Sequence, residues 1–184
     1  MLHSFLPVAD GAAKALVLGS MPGRASLAAG QYYAHPRNHF WPIMGELFGA
    51  APDIPYEERL NILKFNRIAL WDVLASCTRE SSLDAGIAKD SEIVNDFELF
   101  FAKHPQITAV FFNGRKAELT FLKRVKPLLE SRTVACHLLP STSPAYATIS
   151  YERKLEAWRI LARSCYFATS PGRCRSITAR LIST

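Results

Sequence analysis

The densest group of reactive side chains in the sequence is Gln31-Tyr-Tyr-Ala-His-Pro-Arg-Asn-His-Phe-Trp41. It gathers two tyrosines, two histidines, an arginine and an asparagine. A core strand does not hold so many polar groups, because each needs a partner when buried. Aromatic faces can stack on a planar heterocycle, and an amide can fix a water or a base edge. Phe40 and Trp41, closing the string, read as core anchors.

Four other segments carry candidate chemistry. Gly19-Ser20-Met21-Pro22-Gly23 follows an apolar run, and its glycines would let backbone approach a ligand closely; a tight turn is the plainer reading. Asp72 closes another apolar run, Ile68-Ala-Leu-Trp71. An ionised carboxylate only accepts hydrogen bonds, so it would select ligand edges that carry an N–H. The alternative is a helix N-cap, a common place for aspartate. Leu139-Pro-Ser-Thr-Ser-Pro144 offers hydroxyls and backbone amides suited to phosphate. Asn113-Gly114 precedes Arg115, Lys116, Lys123, Arg124 and Lys126. That basic run reads as a solvated helix face, except near Arg115.

These segments need elements to position them. Residues 15–19, 68–71, 107–112 and 133–138 read as buried strands. Residues 40–48, 55–65, 95–103, 115–125 and 151–163 read as helices. Residues 20–37, rich in glycine, proline and small side chains, read as one long loop, which in a compact domain is usually functional. Strands alternating with helices predict an α/β fold: a parallel sheet covered on both faces. In such sheets ligands bind beyond the carboxyl ends of the strands. Residues 19–23, Asp72 and the 139–144 segment should therefore meet at one rim.

The length, 184 residues, suits one domain. It is read as residues 1–163, with 164–184 as a basic C-terminal extension lacking periodicity, disorder being one reading. The net charge of +6 suits a polyanionic partner without requiring one. Cys77, Cys136, Cys165 and Cys174 form no C-x-x-C pair, and His35, His39 and His104 lack ligand spacing, so no metal or other cofactor is expected. No apolar run approaches the ~18 residues that span a bilayer. The N-terminus has no basic n-region, so a cytoplasmic protein with no membrane partner is expected.

Several motifs together resemble the uracil-DNA glycosylase superfamily, and most closely its hypoxanthine-DNA (deoxyinosine) glycosylase branch. They are Gly19-Ser-Met-Pro-Gly23, Tyr32-Tyr-Ala-His-Pro-Arg-Asn-His-Phe-Trp41, Leu70-Trp-Asp-Val73, Phe112-Asn-Gly-Arg-Lys-Ala117 and Leu139-Pro-Ser-Thr-Ser-Pro-Ala145. The resemblance spans about residues 15–161. It implies a three-layer α/β/α domain around a four-stranded parallel sheet. It also implies a monomeric, cofactor-free hydrolase that flips a deaminated base out of DNA. Members commonly carry a catalytic Asp or Asn in the first motif, where this chain has Ser20 and Met21. The hypoxanthine branch places its catalytic asparagine in the following loop, which points to Asn38. Such an amide could hold a water beneath a sugar that develops oxocarbenium character.

The same resemblance gives Tyr33, with Tyr32 as alternative, a stacking role. It places Ser20, Met21, Asp72 and Asn113 around the base, and Pro22, Gly23, Arg115, Ser141, Thr142 and Ser143 against DNA. Asp72 would accept the N1–H of hypoxanthine or the N3–H of uracil, where adenine presents an acceptor. Leu139 stands where many members have histidine. Tyr146 could fill the gap left by a flipped base, or be a plain surface tyrosine. Two rival readings are a non-catalytic nucleic-acid-binding domain and a hydrolase of free nucleosides. Asn38 in an intact loop argues against the first. Positive charge and the Ser-Thr-Ser loop argue against the second.

Overall fold

The computed structural model describes residues 1–80, 83–129 and 132–167, with side chains to Cys165. Its strands are β1 (Leu2–His3), β2 (Ala15–Gly19), β3 (Ile68–Asp72), β4 (Leu74–Cys77), β5 (Ile93–Val94), β6 (Ala109–Asn113) and β7 (Ala135–Leu139). Its helices are α1 (Arg24–Ala29), α2 (Phe40–Phe48), α3 (Tyr56–Phe65), α4 (Phe97–Lys103), α5 (Arg115–Arg124) and α6 (Tyr151–Phe167).

Four parallel strands form the central sheet in the order β3-β2-β6-β7. β2, β3 and β6 are apolar along almost their whole length because both faces of the sheet are covered. β7, at the edge, is mostly open to solvent. Successive side chains along a strand point to opposite faces. Ala15, Val17, Leu70 and Phe111 accordingly join Phe40, Trp41, Leu63 and Trp158 from α2, α3 and α6. Leu16, Leu18, Val110 and Phe112 join Phe97, Phe101 and Phe121 from α4 and α5. The result is the three-layer α/β/α arrangement expected from the sequence.

A helix and a second sheet were not expected. The 20–37 segment contains α1, closed by Gly30 in the left-handed conformation at φ 63°. β1, β4 and β5 form a small antiparallel sheet beside the main one. Its strands are two to four residues long, too short for a periodic pattern. Helix starts also moved inward: Pro55 and Asp96 are caps of α3 and α4, and the Asp96 carboxylate accepts the Leu99 N–H at 2.9 Å. β6 and β7 begin two residues later than expected and end one residue later.

The expected domain end at residue 163 falls inside α6. Cys165 is buried in the α2–α3–α6 core, so residues 164–167 continue the domain. The rest of the proposed extension, residues 168–184, lies outside the described residues. Among the described residues, no helix is long and apolar enough to cross a membrane.

Candidate active site

The register of the sheet brings its carboxyl ends into line: Gly19 pairs with Asp72, Leu18 with Phe112 and Asn113 with Leu139. Beyond them opens a cleft of about 820 Å³. Every predicted site residue borders it: Ser20, Met21, Pro22, Gly23, Tyr33, Asn38, Asp72, Asn113, Arg115, Ser141, Thr142 and Ser143. They differ in which atoms they present.

Gly19 is required by contact rather than by a turn. A Cβ there would lie 2.3 Å from Asp72 Oδ1 and 3.1 Å from the Tyr33 hydroxyl. Both side chains thus cross directly over the end of β2.

Asp72 is 3% exposed. Its Oδ2 accepts the Ser4 hydroxyl at 2.9 Å, and Oδ1 lies over Gly19. Burial raises its pKa to about 7; the Asp84 charge pushes the same way, against the Ser4 hydrogen bond and the positive charge of Arg79. The chain runs from Asp72 through Val73 into β4, not into a helix, so the N-cap reading is overturned. Ser4 was invisible to sequence reasoning, because nothing in the N-terminal segment marks it as a partner of a residue 68 positions away.

The two adjacent tyrosines divide cleanly. Tyr32 is a core residue: its carbonyl accepts the Trp41 indole N–H, its N–H donates to the Tyr56 hydroxyl, and 3% of it is exposed. Tyr33 stacks on Phe40 with ring centroids 4.0 Å apart. It adopts φ 56°, a left-handed conformation that costs a non-glycine residue on the order of 1–3 kcal/mol. Its buried hydroxyl, beside the Asn113 amide, makes no hydrogen bond of good geometry. Burial and the Asp72 charge hold that hydroxyl firmly protonated. A protonated, unpartnered hydroxyl at the floor of a cleft is a donor waiting for an acceptor.

Asn38 is half-buried, and its Oδ1 accepts the Phe40 N–H at 3.0 Å. This turn fixes the amide plane at the start of α2. The oxygen therefore has one lone pair free rather than two, and Nδ2 is unengaged among the described residues.

The 140–144 loop is tied down from three sides. Asn113 Nδ2 donates to Thr142 Oγ1 and Asn113 Oδ1 accepts the Thr142 N–H, both at 2.8 Å. The His39 N–H donates to the Thr142 carbonyl, and the Trp158 indole N–H donates to the Pro140 carbonyl. This corrects one expectation: Thr142 has no exposed surface to offer a phosphate. The Asn113 amide spends one Nδ2 hydrogen and one Oδ1 lone pair on the loop and still borders the cleft. Ser141 and Ser143 keep partly exposed positions. Pro22 is likewise buried, its carbonyl accepting from Arg79 at 2.5 Å. Met21 packs with Leu74, Cys77 and Ile87.

Sequence reading missed Asp84 and Arg79. The Ser20 hydroxyl donates to Asp84 Oδ1 at 2.7 Å, and Asp84 borders the cleft. Crowding by protein raises its pKa, offset by Ser20 and by Arg79. Arg79 is 8% exposed, with Nε and one Nη lacking acceptors. Both lie in a segment without periodicity, so only spatial contact reveals them. The cleft thus has Asp72 at its floor and Asp84 at its edge, and exposed Arg24, Arg115 and Arg153 border it. Arg115 pairs with Glu118 at 2.7 Å, whereas Lys116 and Arg124 are engaged by Glu92, as a solvated helix face would be.

A family model described as the uracil DNA glycosylase superfamily matches residues 7–162. The chain belongs to the uracil DNA glycosylase superfamily. It is similar to a hypoxanthine DNA glycosylase of Methanosarcina acetivorans, 38% identical over 162 residues that make up 88% of this chain and 98% of the relative. It is also similar to a hypoxanthine DNA glycosylase of Methanosarcina barkeri, 39% identical over 78% of this chain and 87% of the relative. Among solved structures, the solution NMR structure of a candidate uracil DNA glycosylase from Methanosarcina acetivorans superposes with a TM-score of 0.74 at 34% identity. It covers 89% of this chain and 98% of that one. Like its superfamily, the chain is a DNA repair glycosylase, an enzyme that hydrolyses N-glycosidic bonds.

Proposed function

We propose that this glycosylase removes hypoxanthine from DNA, with uracil as a second substrate, and leaves an abasic site. The observation that carries the reading is Asp72. Its carboxylate sits on the cleft floor with one oxygen held by Ser4 and the other beside Tyr33. An ionised carboxylate there accepts the N1–H of hypoxanthine or the N3–H of uracil and offers nothing to the bare N1 of adenine.

The other roles follow from position. Tyr33 stacks on the flipped base and its hydroxyl supplies the donor for a base acceptor. Asn38 holds the attacking water, its amide plane already fixed by the Phe40 N–H. The C1′–N bond breaks with its electron pair leaving on the base, and the water oxygen bonds to C1′. Ser20 and Asn113 act by fixing the cleft walls. Ser141, Ser143, Gly23 and Arg115 meet DNA phosphates. The enzyme works as a cytoplasmic monomer without metal or other cofactor.

The test is direct. Labelled duplexes carrying inosine, uracil or thymine opposite each base are incubated with the protein, and abasic sites are cleaved with alkali. Strand cleavage at inosine first, uracil second and thymine least is expected. Cleavage at none of them would overturn the reading.

A further inference from the structure

We propose that Asp84 is a further catalytic residue of this enzyme: held by Ser20, its carboxylate faces the positive charge that develops on the deoxyribose. This rests on the glycosylase reading above. Ser20 leaves the central strand β2 directly after Gly19, the residue over which Asp72 and Tyr33 cross. Its hydroxyl reaches Asp84 from there, which places this carboxylate on the same cleft as Asn38. Asp84 rides on an exposed turn, Asp84–Gly86, and among the described residues it has no cationic side chain within ion-pair distance. Burial raises the Asp84 pKa, and the Ser20 hydrogen bond and the Arg79 and Lys116 charges oppose that shift; two of the three Arg79 guanidinium nitrogens are free of acceptors.

A carboxylate is an awkward group to place where DNA must bind. It repels the phosphates that Arg24, Arg115 and Arg153 attract, so it weakens binding of the intact substrate. The balance reverses only when the sugar turns cationic, and a group that favours the transition state over the ground state is a catalytic one. As the C1′–N bond breaks, its electron pair stays with the base and the sugar carries positive charge opposite Asp84. The water held by Asn38 forms the C1′–O bond. The proton it sheds passes to the Asp84 carboxylate and on to solvent, while the departed base takes a proton from solvent. Atoms and charge balance without any co-reactant other than water.

The experiment compares wild type with Asp84→Asn, Asp84→Ala and Ser20→Ala. Single-turnover excision is measured on an inosine duplex with enzyme in excess. Affinity is measured separately on the same duplex carrying 2′-fluoro-deoxyinosine, which resists hydrolysis. Asp84→Asn should excise about ten- to a hundredfold more slowly, while binding DNA as tightly as wild type or more tightly. Ser20→Ala, which only releases the carboxylate, should lie between. A wild-type rate in both Asp84 variants would overturn the inference, as would a rate loss matched by an equal loss of affinity. Wild type that releases neither hypoxanthine nor uracil would overturn the function reading itself, and this inference with it.

Discussion

Asn38 and Asp72 are fixed before substrate arrives, but at different cost. Asn38 gives one lone pair to the Phe40 N–H and is otherwise unstrained. Asp72 holds a carboxylate out of water with one hydroxyl for company. Its folded pKa, about 7, lies above the usual carboxylate range near 4. A raised folded pKa means that the neutral form is favoured in the fold. That contribution to stability is complete below about pH 4 and is lost as pH rises through about 7. Asp72→Asn should therefore raise the melting temperature at pH 8, by a free energy of up to a few kcal/mol, with the gain fading toward pH 4. The same variant should slow hypoxanthine excision, since an amide loses the charge assistance of about 1–2 kcal/mol. A fall in melting temperature at pH 8 would show that Asp72 serves the fold instead. Because the neutral carboxyl can donate a proton to adenine N1, selectivity for hypoxanthine over adenine should also sharpen as pH rises through 7. Competition by an undamaged duplex measures this.

Strands and loops carry these residues with little slack. Asn113 clamps both the N–H and the hydroxyl of Thr142, a buried two-point contact at the end of β6. Asn113→Ala leaves both groups without a partner, at about 1–3 kcal/mol for each stranded buried group. It should lower the melting temperature and weaken DNA binding through the displaced 140–144 loop. Unchanged affinity would separate that loop from DNA. Legibility in the sequence followed element length. The strands Ala15–Gly19 and Ile68–Asp72 are built on the apolar runs 15–18 and 68–71 and are buried throughout, so the central strands and the rim they define could be read from pattern alone. β1 and β5, at two residues each, could not. The cleft members drawn from motifs were found, but their hydrogen bonding was not. Thr142 and Ser143 look alike in sequence, yet Asn113 and His39 hold Thr142 fully buried while Ser143 stays partly exposed. Ser4, Arg79 and Asp84 matter through contacts of 57 to 68 positions in separation, which no local signal encodes.

For the whole molecule, the charge arrangement separates two jobs. Net charge is +6, with arginines and Asp84 bordering the cleft and Asp72 buried at its floor. Affinity for DNA should fall with log salt by about 0.9 per phosphate neutralised. Arg115→Ala should make that slope shallower by about one such step while leaving excision by the bound enzyme unchanged. A slope identical to wild type would remove Arg115 from the interface. Hydrolysis of a damaged nucleotide at a cleft organised by Asn38, without a metal, is tested most directly by single-turnover release of hypoxanthine from an inosine duplex in excess EDTA, for wild type and Asn38→Ala together. Wild type should release the base fully, and the variant should be slower by about a hundredfold at near-normal DNA affinity. Equal rates for the two proteins, or loss of wild-type activity to EDTA, would contradict the account.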